Sequence, residues 1–146
     1  MKLAPVISLA EYRTRRLPLA VMLRGELAHL DIVCEALVMA HRHGVWPNVL
    51  EEWRHFDTAL RAHMCREERE LLGGFRDSYP DEADDLVAEH VELAIILDVL
   101  AVGMDFQSVP ATDLDLLVTT LREHAEREEV MFYPWVDAHV GTQMRG

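Results

Sequence analysis

Two short segments of the chain carry the same pair of side chains that can bind a metal ion, a histidine followed four residues later by a glutamate. Residues 59–68 and 120–129 are identical at six of ten positions. The pairs within them are His63 with Glu67 and His124 with Glu128. Residues i and i+4 lie on the same face of an α-helix, so each segment presents an imidazole beside a carboxylate. One such pair is common on exposed helices, whereas two matched copies indicate a shared site.

Two further histidines extend the repeat upstream. His29 lies 34 residues before His63, and His90 lies 34 residues before His124. The predicted metal ligands therefore form two equivalent triplets: His29, His63, Glu67, His90, His124 and Glu128. Imidazole and carboxylate together suit iron, manganese or zinc. Six ligands in two equal sets can place two imidazoles on each ion with the carboxylates as bridges, so the sequence predicts two metal ions.

The elements that must position these residues are predicted from the placement of glycine and proline. Breaks at 44–47, 73–80 and 103–110 leave four segments, each with apolar residues at helical spacing and none with sustained alternation typical of strands. The segments lie near 18–43, 48–72, 81–103 and 111–139. They predict an all-α fold, an antiparallel up-down four-helix bundle. The bundle is expected to span 18–140, between a short N-terminal arm (1–17) and a C-terminal tail (141–146).

Each predicted ligand occupies a place in the stripe that should face the core. In the first helix that stripe is Met22, Glu26, His29, Val33 and Ala36. The histidines lie at about equal distances from turns centred near residues 46, 76 and 107, so an antiparallel bundle should bring all four into one layer. Burying these imidazoles and carboxylates without partners would cost several kcal/mol. Metal ions are the partners that the chemistry favours.

Composition limits the remaining function classes. The chain has 146 residues, enough for about one domain, and half of them are hydrophobic. A net charge of −12 opposes binding to nucleic acid and to anionic membranes. Cys34 and Cys65 show no Cys-x-x-Cys spacing, which favours reduced thiols in a cytoplasmic protein. The sequence therefore predicts no nucleic-acid or membrane partner, and it leaves the oligomeric state open.

With its doubled motif the chain resembles the haemerythrin-like HHE cation-binding family. The family pattern is a histidine on one helix followed by His-x-x-x-Glu on the next, in two copies, and here it covers essentially the whole chain. The resemblance implies a four-helix bundle with a non-haem di-iron centre. Its two iron ions would share an oxo or hydroxo bridge, and Glu67 and Glu128 would be the bridging carboxylates.

Two departures from the oxygen-carrying haemerythrins bear on the function. Ala94 stands where those proteins have a second histidine on the third helix, and Glu128 and Glu129 stand near their fourth-helix aspartate. The resemblance is thus closer to a four-histidine, two-glutamate branch linked to iron handling and to nitric oxide or oxidative stress. It implies a protein that binds or reacts with O₂, NO or peroxide in oxygen, iron or redox sensing or in a stress response. A peroxidase-like or NO-reducing enzyme and a metal-free interaction module remain alternatives.

Five other residues are weaker candidates for the site. Glu26 could accept a hydrogen bond from His29 or add a ligand, and His55 could support His63 or simply pack. Glu68 and Glu129 are rotated by about 140° from the histidines five residues before them, which favours solvation or a supporting contact over ligation. Tyr133 falls near the fourth stripe, where an ordinary core tyrosine is the favoured interpretation.

Overall fold

The computed structural model describes the backbone of residues 19–145 and the side chains of residues 19–139. Within that part every regular element is helical, which confirms the predicted all-α class, and no helix there is long and apolar enough to cross a membrane. The helices are α1 (Leu19–His43), α2 (Trp46–Glu70), α3 (Leu72–Ser78), α4 (Pro80–Asp105), α5 (Ala111–Arg127) and α6 (Tyr133–Arg145). A π-helical segment, Glu128–Phe132, joins α5 to α6. The predicted N-terminal arm lies outside the described residues, and the backbone of 141–145 continues α6.

Two of the predicted breaks are confirmed. Gly44 has φ 77°, a left-handed conformation that glycine adopts without steric cost, and its N–H donates to the Ala40 carbonyl at 3.1 Å to end α1. Pro47 then lies in the first turn of α2, where a missing N–H costs nothing. The other confirmed break is the one predicted at 103–110. It follows α4 and covers residues 106–110. These short connections keep consecutive helices in contact.

The break predicted at 73–80 is not a simple turn, because it contains the short helix α3, and both Gly73 and Gly74 lie within that helix. Two buried side chains, Leu72 and Phe75, anchor this short helix against the core. A Cβ at Gly74 would lie 3.0 Å from the Trp135 ring, so the glycine allows the indole to approach the backbone. The second glycine of the pair thus serves packing and not chain reversal.

The hydrophobic core consists of two clusters. The larger lies among α1, α2, α4 and α5 and includes Leu60, Leu93 and Leu121. The smaller includes Leu86 and Phe132, together with residues of α1, α3 and α6. On α2, α4 and the α5–π unit, the predicted metal ligands lie between the residues of one cluster and those of the other. A buried polar layer therefore separates two apolar regions.

The predicted core stripe of α1 is correct at Val33, which is buried, but wrong at Met22 and His29. Met22 is 37% exposed and His29 is exposed, whereas Leu23, Leu30 and Leu37 are buried. Leucines at intervals of seven residues form the buried face of α1, and burial of apolar area decides which face turns inward. Successive helical residues are about 100° apart, so burying Leu30 turns His29 toward solvent.

Two glycine substitutions should have opposite effects on stability. A Cβ at Gly103 would lie 2.9 Å from the Ser108 carbonyl oxygen, so Gly103→Ala should lower the free energy of unfolding by about 1–3 kcal/mol. Gly25 lies inside α1, and a Cβ there would have no atom within 4 Å, so Gly25→Ala should raise it by about 0.5–1 kcal/mol. Urea denaturation of both variants checks the two signs.

Candidate metal centre

Five of the six predicted ligands come together in the polar layer. They are His63 and Glu67 on α2, His90 on α4, His124 on α5 and Glu128 in the π-helical segment, and all are at most 3% exposed. One ligand atom from each of Glu67, His90, His124 and Glu128 lies within 4.8 Å of the others. The sixth, His29, is exposed on α1. The expected layer of four histidines therefore contains three.

The ligand atoms divide into two sets. In the first, which we call the two-histidine set, Nε2 of His90 and Nε2 of His124 are 3.1 Å apart. Glu67 Oε1 lies 3.2 Å from His90 Nε2, and Glu128 Oε2 lies 3.2 Å from His124 Nε2. Two imidazole nitrogens and two carboxylate oxygens thus converge on one region.

The second set, which we call the tyrosine set, uses the other oxygen of each glutamate. His63 Nε2 lies 3.1 Å from Glu67 Oε2 and 4.0 Å from Glu128 Oε1. The Tyr133 hydroxyl donates to these carboxylates, at 2.9 Å from Glu67 Oε2 and 3.0 Å from Glu128 Oε1, and lies 3.3 Å from His63 Nε2. Each glutamate therefore contributes one oxygen to each set, which is the arrangement that a carboxylate bridge between two ions requires.

A carboxylate lies against the outer nitrogen of every histidine in the cluster. The Nδ1 distances are 2.8 Å for His63 to Glu26, 2.6 Å for His90 to Glu68 and 2.7 Å for His124 to Glu89. When Nδ1–H donates to the carboxylate, the Nε2 lone pair is directed into the cluster, as a metal ligand requires. Glu26 was expected beside His29 but supports His63, and Glu68 has the supporting contact that the sequence favoured.

Arginines of the repeat hold two of these outer carboxylates. Arg66 donates to Glu26 at 2.9 Å, and Arg127 forms an ion pair with Glu89. Arg66 lies three residues after His63, and Arg127 lies three residues after His124. Each copy of the repeat therefore contains a predicted ligand together with the arginine that binds the carboxylate supporting that ligand. The sequence did not predict Glu89 as a site residue, because its partner His124 lies on another helix. The one available signal was that Glu89 directly precedes His90.

The remaining candidates lie outside the cluster. His29 Nε2 is 3.4 Å from Nε2 of His55, and both side chains are exposed. Arg24 binds Glu129 at 2.7 Å, which holds that carboxylate near the surface. By the symmetry of the repeat, Glu129 would support His29 as Glu68 supports His90. The symmetry is therefore broken on the side of α1.

The π-helical segment brings Tyr133 into the site. The Tyr133 N–H donates to the carbonyl of Glu128, an i to i+5 hydrogen bond. In a regular α-helix, residues five apart point about 140° from each other. The wider π turn places both Glu128 and Tyr133 on the inner face, and both are 0% exposed. The sequence carries no recognised signal for this change of pitch, so Tyr133 was assigned to the ordinary core.

The donor set fits metal ions. Glu67 Oε1 and Glu128 Oε2 are buried, and the polar atoms placed beside them are imidazole nitrogens of the cluster, 3.2 Å away at His90 and at His124. Buried carboxylate oxygens need positive charge beside them, because their desolvation is expensive. A cation in the two-histidine set would be coordinated by both oxygens. Nitrogen and oxygen donors in this combination suit a first-row transition metal.

The electrostatics of the metal-free cluster tie its protons to its carboxylates. Burial lowers the pKa of His63 and His90, but hydrogen bonds to Glu128 and Glu67 outweigh it and raise both pKa values to about 10. Burial raises the pKa of Glu128, yet contacts with His124, His63 and His90 lower it well below its usual value. Without a metal, protonated imidazoles therefore offset the charge of Glu128, and a bound cation would replace those protons.

Comparison with known families agrees with this geometry. The model of the Hemerythrin HHE cation binding domain matches residues 21–136. The chain belongs to the hemerythrin HHE cation-binding family. No curated protein and no solved structure matches the chain. For this HHE domain, cation binding is the family property, and the buried histidine and glutamate cluster is the place in the described chain that suits it.

The metal-free HHE domain should lose stability as the pH rises above 6.5. Because His63 and His90 have folded pKa values of about 10, above their usual 6.5, their contribution is complete below pH 6.5 and declines toward pH 10. Urea denaturation in the presence of a chelator checks this trend. With metal bound the trend should reverse, since protons compete with the cation for the imidazoles. A metal-free stability that rises over this range would contradict the prediction.

Loss of an outer carboxylate should weaken metal binding without removing a ligand. Glu89→Gln replaces the acceptor of His124 Nδ1–H and should lower metal affinity by about 10- to 100-fold. Glu92→Gln changes an exposed carboxylate on the same helix and is the matched control. Competition with a chromophoric chelator measures both affinities, and equal values would contradict the supporting role of Glu89.

Proposed function

We propose that this HHE domain holds two iron ions in the polar layer and uses them to bind or react with a small ligand, O₂, NO or peroxide. One observation supports this most directly. Glu67 and Glu128 each direct one oxygen to the two-histidine set and one to the tyrosine set. A single ion would need only one of these sets, whereas two bridged ions use all four oxygens.

The donor atoms also favour iron, and their number leaves open coordination positions on each ion. Imidazole with carboxylate is the ligand combination of non-haem iron sites that keep open positions. Each set offers four protein atoms, fewer than a six-coordinate ion takes, so coordination positions remain for a small molecule. When bound, the iron pair would supply one-electron redox chemistry, while the protein residues hold the ions, orient the imidazoles and exclude bulk water.

A surface groove gives a small ligand a route toward the cluster. It has a volume of about 350 Å³ and lies between α2 and α4. Its lining residues include Met64, Glu68, His90, Val91 and Ala94. Ala94 is one helical turn beyond His90, and its methyl group leaves room that a longer side chain would fill. This opening beside a ligand favours turnover of peroxide or NO as a second candidate function, next to reversible binding in sensing or stress response.

The proposal includes the antiparallel up-down arrangement of four long helical units. The connections after α1 and after α4 are short, and α1 packs against α2, α5 and α6. Ligands from α2, α4 and the α5–π unit meet at one level. A bundle whose neighbouring helices run in opposite directions accounts for this convergence.

Metal content and reactivity test the proposal together. Protein loaded with ferrous iron under anaerobic conditions and then desalted should retain close to two irons per chain. Mixing the reduced form with O₂, NO or peroxide should change its visible spectrum. A stable and reversible change favours binding, and consumption of excess ligand favours an enzyme. Failure to retain iron at any ratio would overturn the two-metal site.

Histidine variants identify the ligands in the same assay. His63→Ala and His124→Ala each remove a buried nitrogen donor and should lower the iron content by at least one ion per chain. His29→Ala is the matched control, because His29 belongs to the same repeat but is exposed. Iron loss from His29→Ala equal to that from His63→Ala would contradict the assignment of ligands.

A further inference from the structure

The two sets of ligand atoms are unequal in nitrogen donors. The two-histidine set has two imidazoles, and the tyrosine set has only His63. The repeat assigns the missing imidazole to His29, which is exposed on α1. The oxygen of Tyr133 lies where a second donor beside His63 is needed.

Tyr133 is held in this place from several sides. Its side chain is 0% exposed and packs in the smaller hydrophobic cluster, next to Phe132 at a centroid distance of 5.6 Å. The guanidinium of Arg24 lies over the ring at 5.4 Å, fixed by Glu129 and Asp137. The π-helical hydrogen bond to Glu128 sets the direction of the backbone. The hydroxyl therefore reaches the cluster from a rigid support.

We propose that the Tyr133 oxygen is a ligand of the metal ion held by the tyrosine set, in the position that the repeat assigns to His29. Its distances of 2.9 Å to Glu67 Oε2, 3.0 Å to Glu128 Oε1 and 3.3 Å to His63 Nε2 place it among the atoms that would surround this ion. Phenolate oxygen is an established protein ligand of ferric iron. The inference rests on the proposed two-metal centre.

Charge favours the same assignment. In the metal-free cluster one phenol proton serves two carboxylates, and each of these has a lone pair that a cation would occupy. A bound cation would attract both carboxylates and would favour an anionic donor in place of the hydroxyl. The phenol proton would then leave to solvent as the oxygen bound the metal. Two carboxylates and one phenolate then offset three of the positive charges of the two ions.

Visible spectroscopy of the iron-loaded protein tests the ligand directly. Wild-type protein is loaded with iron, oxidised to the ferric form, and examined for the charge-transfer band that a phenolate ligand produces, with resonance Raman detection of tyrosine ring modes. We expect the band in the wild type and its loss in Tyr133→Phe. The iron content of each sample is measured in parallel.

The chain has three tyrosines, which provides a control that leaves the site intact. The double variant Tyr12→Phe/Tyr79→Phe keeps Tyr133 as the single tyrosine, so retention of the band assigns it even if Tyr133→Phe does not fold. Loss of the band in this double variant would overturn the proposal.

Two failures are distinguishable. If the wild type retains close to two irons per chain but shows no tyrosine ring modes, Tyr133 is not a ligand and the two-metal centre stands. If the wild type retains no iron, both the centre and the ligand assignment are overturned.

Discussion

The structure depends on the burial of two carboxylates, Glu67 and Glu128, between two apolar clusters. Both are 0% exposed, and each needs positive charge close by to offset the loss of solvent. Imidazoles of the cluster provide it, and outer carboxylates fix the orientation of those imidazoles. The helix faces, the outer glutamates and the arginines of the repeat all serve this one requirement.

The all-α class and most of the cluster could be predicted from the sequence because they follow helical periodicity. His63, Glu67, His90, His124 and Glu128 each occur within an apolar stripe, and the stripes of α2, α4 and α5 face the core as predicted. His29 was misplaced because α1 carries two overlapping apolar faces. Its leucines at 23, 30 and 37 are at most 1% exposed, whereas His29 is exposed. Periodicity gives candidate faces, but packing chooses between them.

The position of Tyr133 could not be predicted for a different reason. It depends on one π turn, and a local change of helical pitch is decided by tertiary contacts and leaves no recognised pattern in the sequence. Glu89 was missed because its partner lies on another helix. In both cases the position depends on contacts between helices. A sequence repeat predicts such contacts only when the two copies pack in the same way. Here the two copies differ at α1, where Glu129 forms an ion pair with Arg24 and not with His29.

The separation of the core into two clusters has a consequence for cooperativity. Leu60, Leu93 and Leu121 belong to one cluster and Leu86 and Phe132 to the other, with the polar layer between them. These halves are joined by Leu27, which packs against both clusters, by hydrogen bonds and by continuous helices, so we expect the end containing α3 and α6 to open at lower cost than the whole domain. Ions bound to α2, α4 and the α5–π unit would tie the halves together. Binding of these ions would then slow amide hydrogen exchange at the end of the molecule, far from the ligands.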